Sequence, residues 1–282
     1  MENLYLVCFL DILGYSELVE QKYTSENEIQ KIEKKFKDVL KIIDGIVKRE
    51  PDNLFIKANQ IIQKEMKIRI MSDSVLITIN LSNPQFTEDI MKEYSVEEGE
   101  SGEKIEIVFI LKTLWTISWI ILIISAEIRY FFRGGITIGQ YYEAKLREEN
   151  NDSIFIFSKA FLDAVKLEKS AEFPRIIIGE NLYDYVLKFN NEKPPDSLSE
   201  YFYIDGDDKR CLNPYVSLFD SGSRERNERI TKKILGKIKD AIELQYKNNK
   251  DENITKKYKY IIDKYNFQVE TKFNLPEFKI SI

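Results

Sequence analysis

The chain has 282 residues, 43% hydrophobic and 32% charged, with a net charge of −5; this is an ordinary globular composition, long enough for a core domain with an appendage. It contains no histidine, which excludes Ser-His-Asp triads, Cys-His dyads and zinc sites with imidazole ligands. The acidic balance offers no general field for nucleic acid, so a polyanionic ligand needs a local basic pocket.

Residues 4–10 read as a buried strand with Asp11 at its end. They are too short for a signal peptide. The turn from Asp11 to Gly14 leads into a helix near Tyr15. A longer helix fits 26–49, with Ile29, Ile32, Phe36, Val39, Leu40 and Ile43 on one face and Pro51 closing it. Residues 66–71 and 74–80 are β-rich runs separated by Ser72 and Asp73, which is hairpin spacing with an acid at the tip. Residues 82–104 read as a polar surface loop.

Residues 105–126 approach membrane length, but Glu106 and Lys112 interrupt one end and the apolar run 113–126 is short for a span. A buried core helix reaching about Phe131 is expected instead, with no stable membrane insertion. Strands follow at 133–139, continued by 140–146, and at 153–157. A helix covers 158–171, and a short strand 175–178 comes after Pro174. This order gives an α/β (α+β) fold with a mixed, largely antiparallel sheet.

The pattern changes near 180. Residues 191–209 look loop-like and carry Asp205, Asp207 and Asp208. Helices are expected at 224–248, with a stripe of Ile230, Ile234, Ile238, Ala241 and Ile242, and at 254–265. The expected division is a domain over 1–179 and a C-terminal extension over 180–282 packed on it. Cys8 and Cys211 stand apart in sequence, giving neither a disulfide framework nor a metal spacing and fitting a reducing cytoplasm.

Asp11 and Asp73 stand out by position. A first strand lying between the two hairpin strands brings both carboxylates to one edge of the sheet. Paired carboxylates there suit two hard cations, which can activate a hydroxyl and stabilise a leaving phosphate. The backbone N–H groups of Ile12, Leu13, Gly14, Tyr15 and Ser16, at a helix start, suit phosphate oxygens. The plainer alternative is that Asp11 caps a helix and Asp73 forms a turn.

FLDILGYS (9–16) resembles the first metal-binding strand and turn of class III adenylate and guanylate cyclases. IRIMSDSVLIT (68–78) resembles their second metal hairpin. RGGITIG (133–139) is similar to the strand after their third helix, and FSKAFLDAVKLEKSAEFPRIII (157–178) to the segment with their catalytic Asn and Arg. The segment Asp205 to Asp208 resembles a D-x-D-G stretch of bacterial homologues. The order agrees over residues 4–178, and the variant pattern is closest to the pyrimidine cyclases of Pycsar antiviral systems.

That resemblance implies a class III cyclase fold in a cytoplasmic head-to-tail homodimer. Its activity would convert UTP or CTP to the 3′,5′-cyclic monophosphate for a separate effector. Two Mg²⁺ or Mn²⁺ ions per site would be held by Asp11, the Ile12 backbone and Asp73. Base-reading positions fall on Arg69 and Phe155. An aromatic wall beside a donor-only guanidinium suits a small base with carbonyl acceptors, and the alternative for Phe155 is a core strand residue. The family's catalytic Asn and Arg align with Leu162 and Lys166. Leu162 cannot donate a hydrogen bond, and Lys166 offers a point charge or is an ordinary surface lysine. Arg133 and Arg175 are further triphosphate candidates, with salt bridging as the alternative. Two other readings stay open: a decayed nucleotide-binding protein, and a cyclase making cyclic AMP or GMP.

Overall fold

A computed structural model describes residues 4–15, 65–71, 73–82, 102–146, 154–188, 198–218 and 224–281, with isolated positions between 30 and 62. The helix expected over 26–49 falls mostly outside them; the positions described within it are helical. The chain forms two compact units. One comprises Met1–Asp11, Glu50–Thr113 and Gly134–Leu212; the other comprises Ile12–Arg49, Leu114–Arg133 and Asn213–Ile282.

The first unit is organised by a mixed sheet. Its strands are β1 (Leu4–Ile12), β2 (Met66–Met71), β3 (Ser74–Asn80), β4 (Phe132–Lys145), β5 (Ile154–Ser158), β6 (Ile176–Ile178), β7 (Phe202–Ile204) and β8 (Arg210–Leu212). The order is β2-β3-β1-β4-β6-β8-β7, with β5 paired to β4. Only β4 and β6 are parallel among the registers shown; the other pairs are antiparallel. The inner strand β3 is buried from Val75 to Ile79, as a strand covered on both faces must be.

β1 does not lie between the hairpin strands, as the sequence suggests. The short connection at Ser72 and Asp73 forces β2 and β3 to pair directly, with Met71 opposite Ser74. β1 takes the other side of β3, with Asp11 opposite Ser74. The region 191–209 is also not all loop: Phe202–Ile204 forms β7 and pairs with β8. A strand this short carries no readable alternation. Because β7 and β8 extend the sheet, the expected boundary at 179/180 falls inside the first unit.

Helix α1 (Gly102–Ile128) begins slightly before the end of the expected loop. Its segment Phe109–Ile128 is long and apolar enough to cross a membrane, yet 83% of its apolar window is buried within the protein.

Helix α2 (Lys159–Ser170) starts where the Ser158 hydroxyl accepts the Phe161 N–H at 3.0 Å, a side-chain cap on an otherwise orphan donor. Ala160 and Ala164 form its buried face. They meet glycines on β4: a Cβ at Gly139 would lie 3.3 Å from Ala160 Cβ, and one at Gly135 would overlap the Ala164 carbonyl and lie 2.5 Å from Leu167 Cβ. The glycines let the helix backbone rest directly on the strand. We therefore expect Gly135→Ala to cost about 1–3 kcal/mol through overpacking. Urea unfolding checks this; an unchanged midpoint would show that the helix does not seat so closely.

A short helix, α3 (Glu180–Lys188), follows β6. The second unit contains α4 (Arg224–Asn248) and α5 (Glu252–Phe267), joined through Asp251, whose carboxylate caps α5 by accepting the N–H groups of Asn253 and Ile254. Ile234, Leu235, Ile238, Ala241 and Ile242 pack with Tyr258, Ile261, Ile262 and Tyr265. The Tyr265 hydroxyl donates to the Leu235 carbonyl at 3.1 Å, so the buried ring carries no orphan polar group. Ile230, expected in the same stripe, is exposed.

Candidate functional site

Tyr5, Val7, Phe9 and Asp11 alternate along β1 and so share one sheet face. Val7 packs with Leu76, Tyr141, Ala160 and Ala164, and Phe9 meets Phe161 edge to face at 5.7 Å. Asp11 ends this row on the α2 side, partly buried. Asp73 sits in the β2–β3 turn, where it accepts the Ser74 hydroxyl at 3.3 Å. Asp11 pairs with Ser74, so the end of β1 lies beside the β2–β3 turn that carries Asp73.

The residue directly opposite Asp11 is Ser74, about 5 Å away as ladder partners are; Asp73 is the next residue toward the turn. Among the described residues no group of three or more Cys, Asp or Glu gathers into a metal cluster. Two carboxylates alone would suit a hard ion that keeps several waters or phosphate oxygens, as Mg²⁺ does.

The chain beyond Asp11 meets the phosphate-binding expectation only in part. Gly14 has φ 77°, a left-handed turn that glycine enters without strain. Ile12 and Leu13 are buried. The Leu13 N–H already donates to the Phe131 carbonyl at 2.8 Å, which removes it from the expected phosphate donors. Tyr15 is partly buried at the first helical position. Ser16 lies outside the described residues.

Arg69 lies on β2 opposite Leu76, on the same face as Asp11. Its guanidinium forms an ion pair with Glu143 of β4 and donates to the Tyr141 hydroxyl at 3.4 Å. Tyr141 in turn donates to Glu143 Oε2 at 2.9 Å, and Lys67 reaches Oε1 at 3.4 Å. Burial opposes charge on Glu143, but hydrogen bonds from Arg69 and Tyr141 and the nearby cations outweigh it and hold its pKa below the ordinary carboxylate value. Burial, then the bond to Glu143, pushes the Tyr141 hydroxyl well up, so it stays a donor.

Phe155 is not a core residue; it is exposed and stacks on Phe157, ring centroids 6.4 Å apart. In the β4–β5 register Phe155 pairs with Ala144 and Phe157 with Tyr142. These side chains lie on the face opposite Tyr141 and Glu143. Within one chain, then, Arg69 and Phe155 do not meet.

Leu162 and Lys166 both project from the exposed side of α2. Lys166 pairs with Asp163 at 3.3 Å, and Lys159 pairs with the same carboxylate at 3.2 Å. Arg133 is the second residue of β4 and partly buried. Arg175 is not available to a triphosphate. It is 5% exposed and holds Asp207 through two bonds, at 2.7 and 2.6 Å, and Asp205 at 2.5 Å. The acidic segment at 205–208 is thus a structural anchor for the β7–β8 turn.

Sequence reasoning missed Glu143 and Tyr141. Their alternation on the extended strand is visible, but Arg69 reaches them across the sheet from a strand that is neither adjacent in sequence nor a ladder neighbour.

No protein-family model matches the chain, and no curated protein matches it. Among solved structures it is similar to the adenylyl cyclase CyaB from P. aeruginosa, at 15% identity and TM-score 0.40, over 66% of this chain and 81% of that one. It is also similar to a bacterial light-regulated adenylyl cyclase, at 11% identity and TM-score 0.37, over 81% and 98%. A third likeness is to the guanylyl cyclase Cya2, at 13% identity and TM-score 0.33, over 65% and 78%. All three superpose only loosely on this chain, and none of them bears on its chemistry.

Proposed function

We propose that the chain is a nucleotidyl cyclase that converts CTP or UTP to the 3′,5′-cyclic monophosphate and pyrophosphate. The observation that carries this is the β1–β3 register, which sets Asp11 opposite Ser74 and so beside Asp73. Asp11, Asp73 and the Ile12 carbonyl would hold two Mg²⁺ or Mn²⁺ ions. Such ions polarise the 3′-hydroxyl and neutralise charge on the departing pyrophosphate. Arg69 donates to the base, and Lys166 and Arg133 set positive charge near the phosphates; Phe155, on the opposite face of β4–β5, does not join Arg69 on one base. A product of this kind would act as a second messenger in antiphage defence, through a separate sensor protein.

The active form in this reading is a head-to-tail homodimer, with acids from one chain and base contacts from its partner. The exposure of Leu162 and Lys166 supports it, since neither is consumed by the core. Incubation with each of the four nucleoside triphosphates and Mn²⁺, with products resolved by mass spectrometry, tests the chemistry. Cyclic purine product would replace the pyrimidine assignment.

The dimer has its own test. Asp73→Ala and Arg69→Ala should each be inactive alone. Mixed and allowed to exchange, they should recover about a quarter of wild-type activity, because half of the randomly formed dimers carry one intact site out of two. No recovery from a mixture shown to contain heterodimers would refute the shared site.

A second reading, nucleotide binding without turnover, is favoured by Leu162, which donates nothing, and by Lys166 held at Asp163. Saturable triphosphate binding without product would establish it.

A further inference from the structure

We propose that Glu143 selects the base, reading the exocyclic amine of cytosine beside Arg69 and so favouring CTP over UTP. This rests on the cyclase reading above and concerns a residue that the reading leaves without a role.

The Glu143 side chain is 13% exposed and that of Arg69 is 19% exposed. A carboxylate has about four acceptor sites. Arg69, Lys67 and Tyr141 occupy three of them, which leaves one. Two cations, Arg69 and Lys67, reach this one carboxylate. Stability alone does not call for such a cluster, because well-packed apolar residues replace a buried ion pair at little or no loss. β2 is moreover the outermost strand on its side of the sheet. Arg69 and Asp11 share a face, so the cluster lies on the side of the sheet that carries the acids.

The remaining acceptor falls on Oε2, because Arg69 and Lys67 both reach Oε1 and Tyr141 takes one site on Oε2. Cytosine offers a matching edge, with an amine donor next to ring acceptors. Uracil places a carbonyl oxygen where cytosine has its amine, and that oxygen would face the carboxylate. Loss of one such hydrogen bond and exposure of a buried polar group to a like partner separates two substrates by roughly tenfold or more.

The test measures kcat and KM for all four triphosphates with wild type, Glu143→Gln, Glu143→Asp and Tyr141→Phe, alongside calorimetric binding and melting temperature. Wild type should prefer CTP to UTP by about tenfold or more in kcat/KM. Glu143→Gln, whose amide both donates and accepts, should bring the ratio within about threefold, mostly through KM. Glu143→Asp should keep the preference. If Glu143→Gln fails to fold, Tyr141→Phe, which frees an acceptor site on Glu143, should still shift the ratio. An unchanged ratio with only a lowered melting temperature would reduce the cluster to a structural ion pair. Equal use of CTP and UTP by wild type, or a purine preference, overturns base selection by Glu143. Binding of no triphosphate at all overturns the cyclase reading as well. The binding data report the preference even for a chain that does not turn over.

Discussion

Asp73→Ala should lower cyclic nucleotide formation by roughly a thousandfold or more, equivalent to about 4 kcal/mol of transition-state stabilisation. The reason lies in how little else the sheet end provides. In the proposed site Asp73 is one of two carboxylates, so losing it would remove a large share of the protein's hold on the ions. The fold should barely notice. Asp73 is a turn residue whose described side-chain bond is to its neighbour Ser74, and substitutions of that kind fall within about 0.5 kcal/mol. Mass-spectrometric product assay and urea unfolding of the same preparation separate the two effects. Retained turnover in a folded Asp73→Ala protein would end the metal assignment.

Arg175→Ala should do the reverse and unfold the protein without touching the chemistry directly. The side chain is 3% exposed and bridges Asp205, 9% exposed, and Asp207. Burial works against its charge, yet the bonds to Asp207 and Asp205 outweigh this and raise its pKa, while the Arg175 bond holds Asp207 well below the ordinary value. Removing the guanidinium strands the Asp205 carboxylate in a buried site, and breaking a pair from one side costs about 3–5 kcal/mol. Arg175→Lys should recover only part of this, because an ammonium cannot make the two-pronged contact to Asp207. The urea midpoint, at unchanged denaturant slope, measures it. A loss under about 1 kcal/mol would mean that the cluster behaves as an exposed surface pair.

The parts of the molecule legible in the sequence are those governed by local rules. Strand alternation and turn chemistry place β1, β2 and β3 to within a residue or two, and the spacing of Ala160 and Ala164 marks the buried face of α2. The hairpin turn at Asp73 is legible, but the strand order is not, because β1 flanks β3 instead of lying between the hairpin strands. Facts set by long-range packing were not legible. Arg175 looks like any basic residue before a strand until the β7–β8 turn folds back onto it. Phe155 looks like core because aromatic residues in strands usually are; only the register with β4 shows that it faces outward. Arg69 and Glu143 share no local signal.

The pairing of β1 with β3 also sets when the acids can meet. Each carboxylate is encoded far from the other, and only a non-local ladder joins them. Closing that long loop is an entropic cost met before any ladder contact repays it. In a chain still emerging from the ribosome β1 has neither of its sheet neighbours, since β3 and β4 both follow it in sequence. Any property that depends on the end of β1 and the β2–β3 turn together therefore waits on docking of the hairpin.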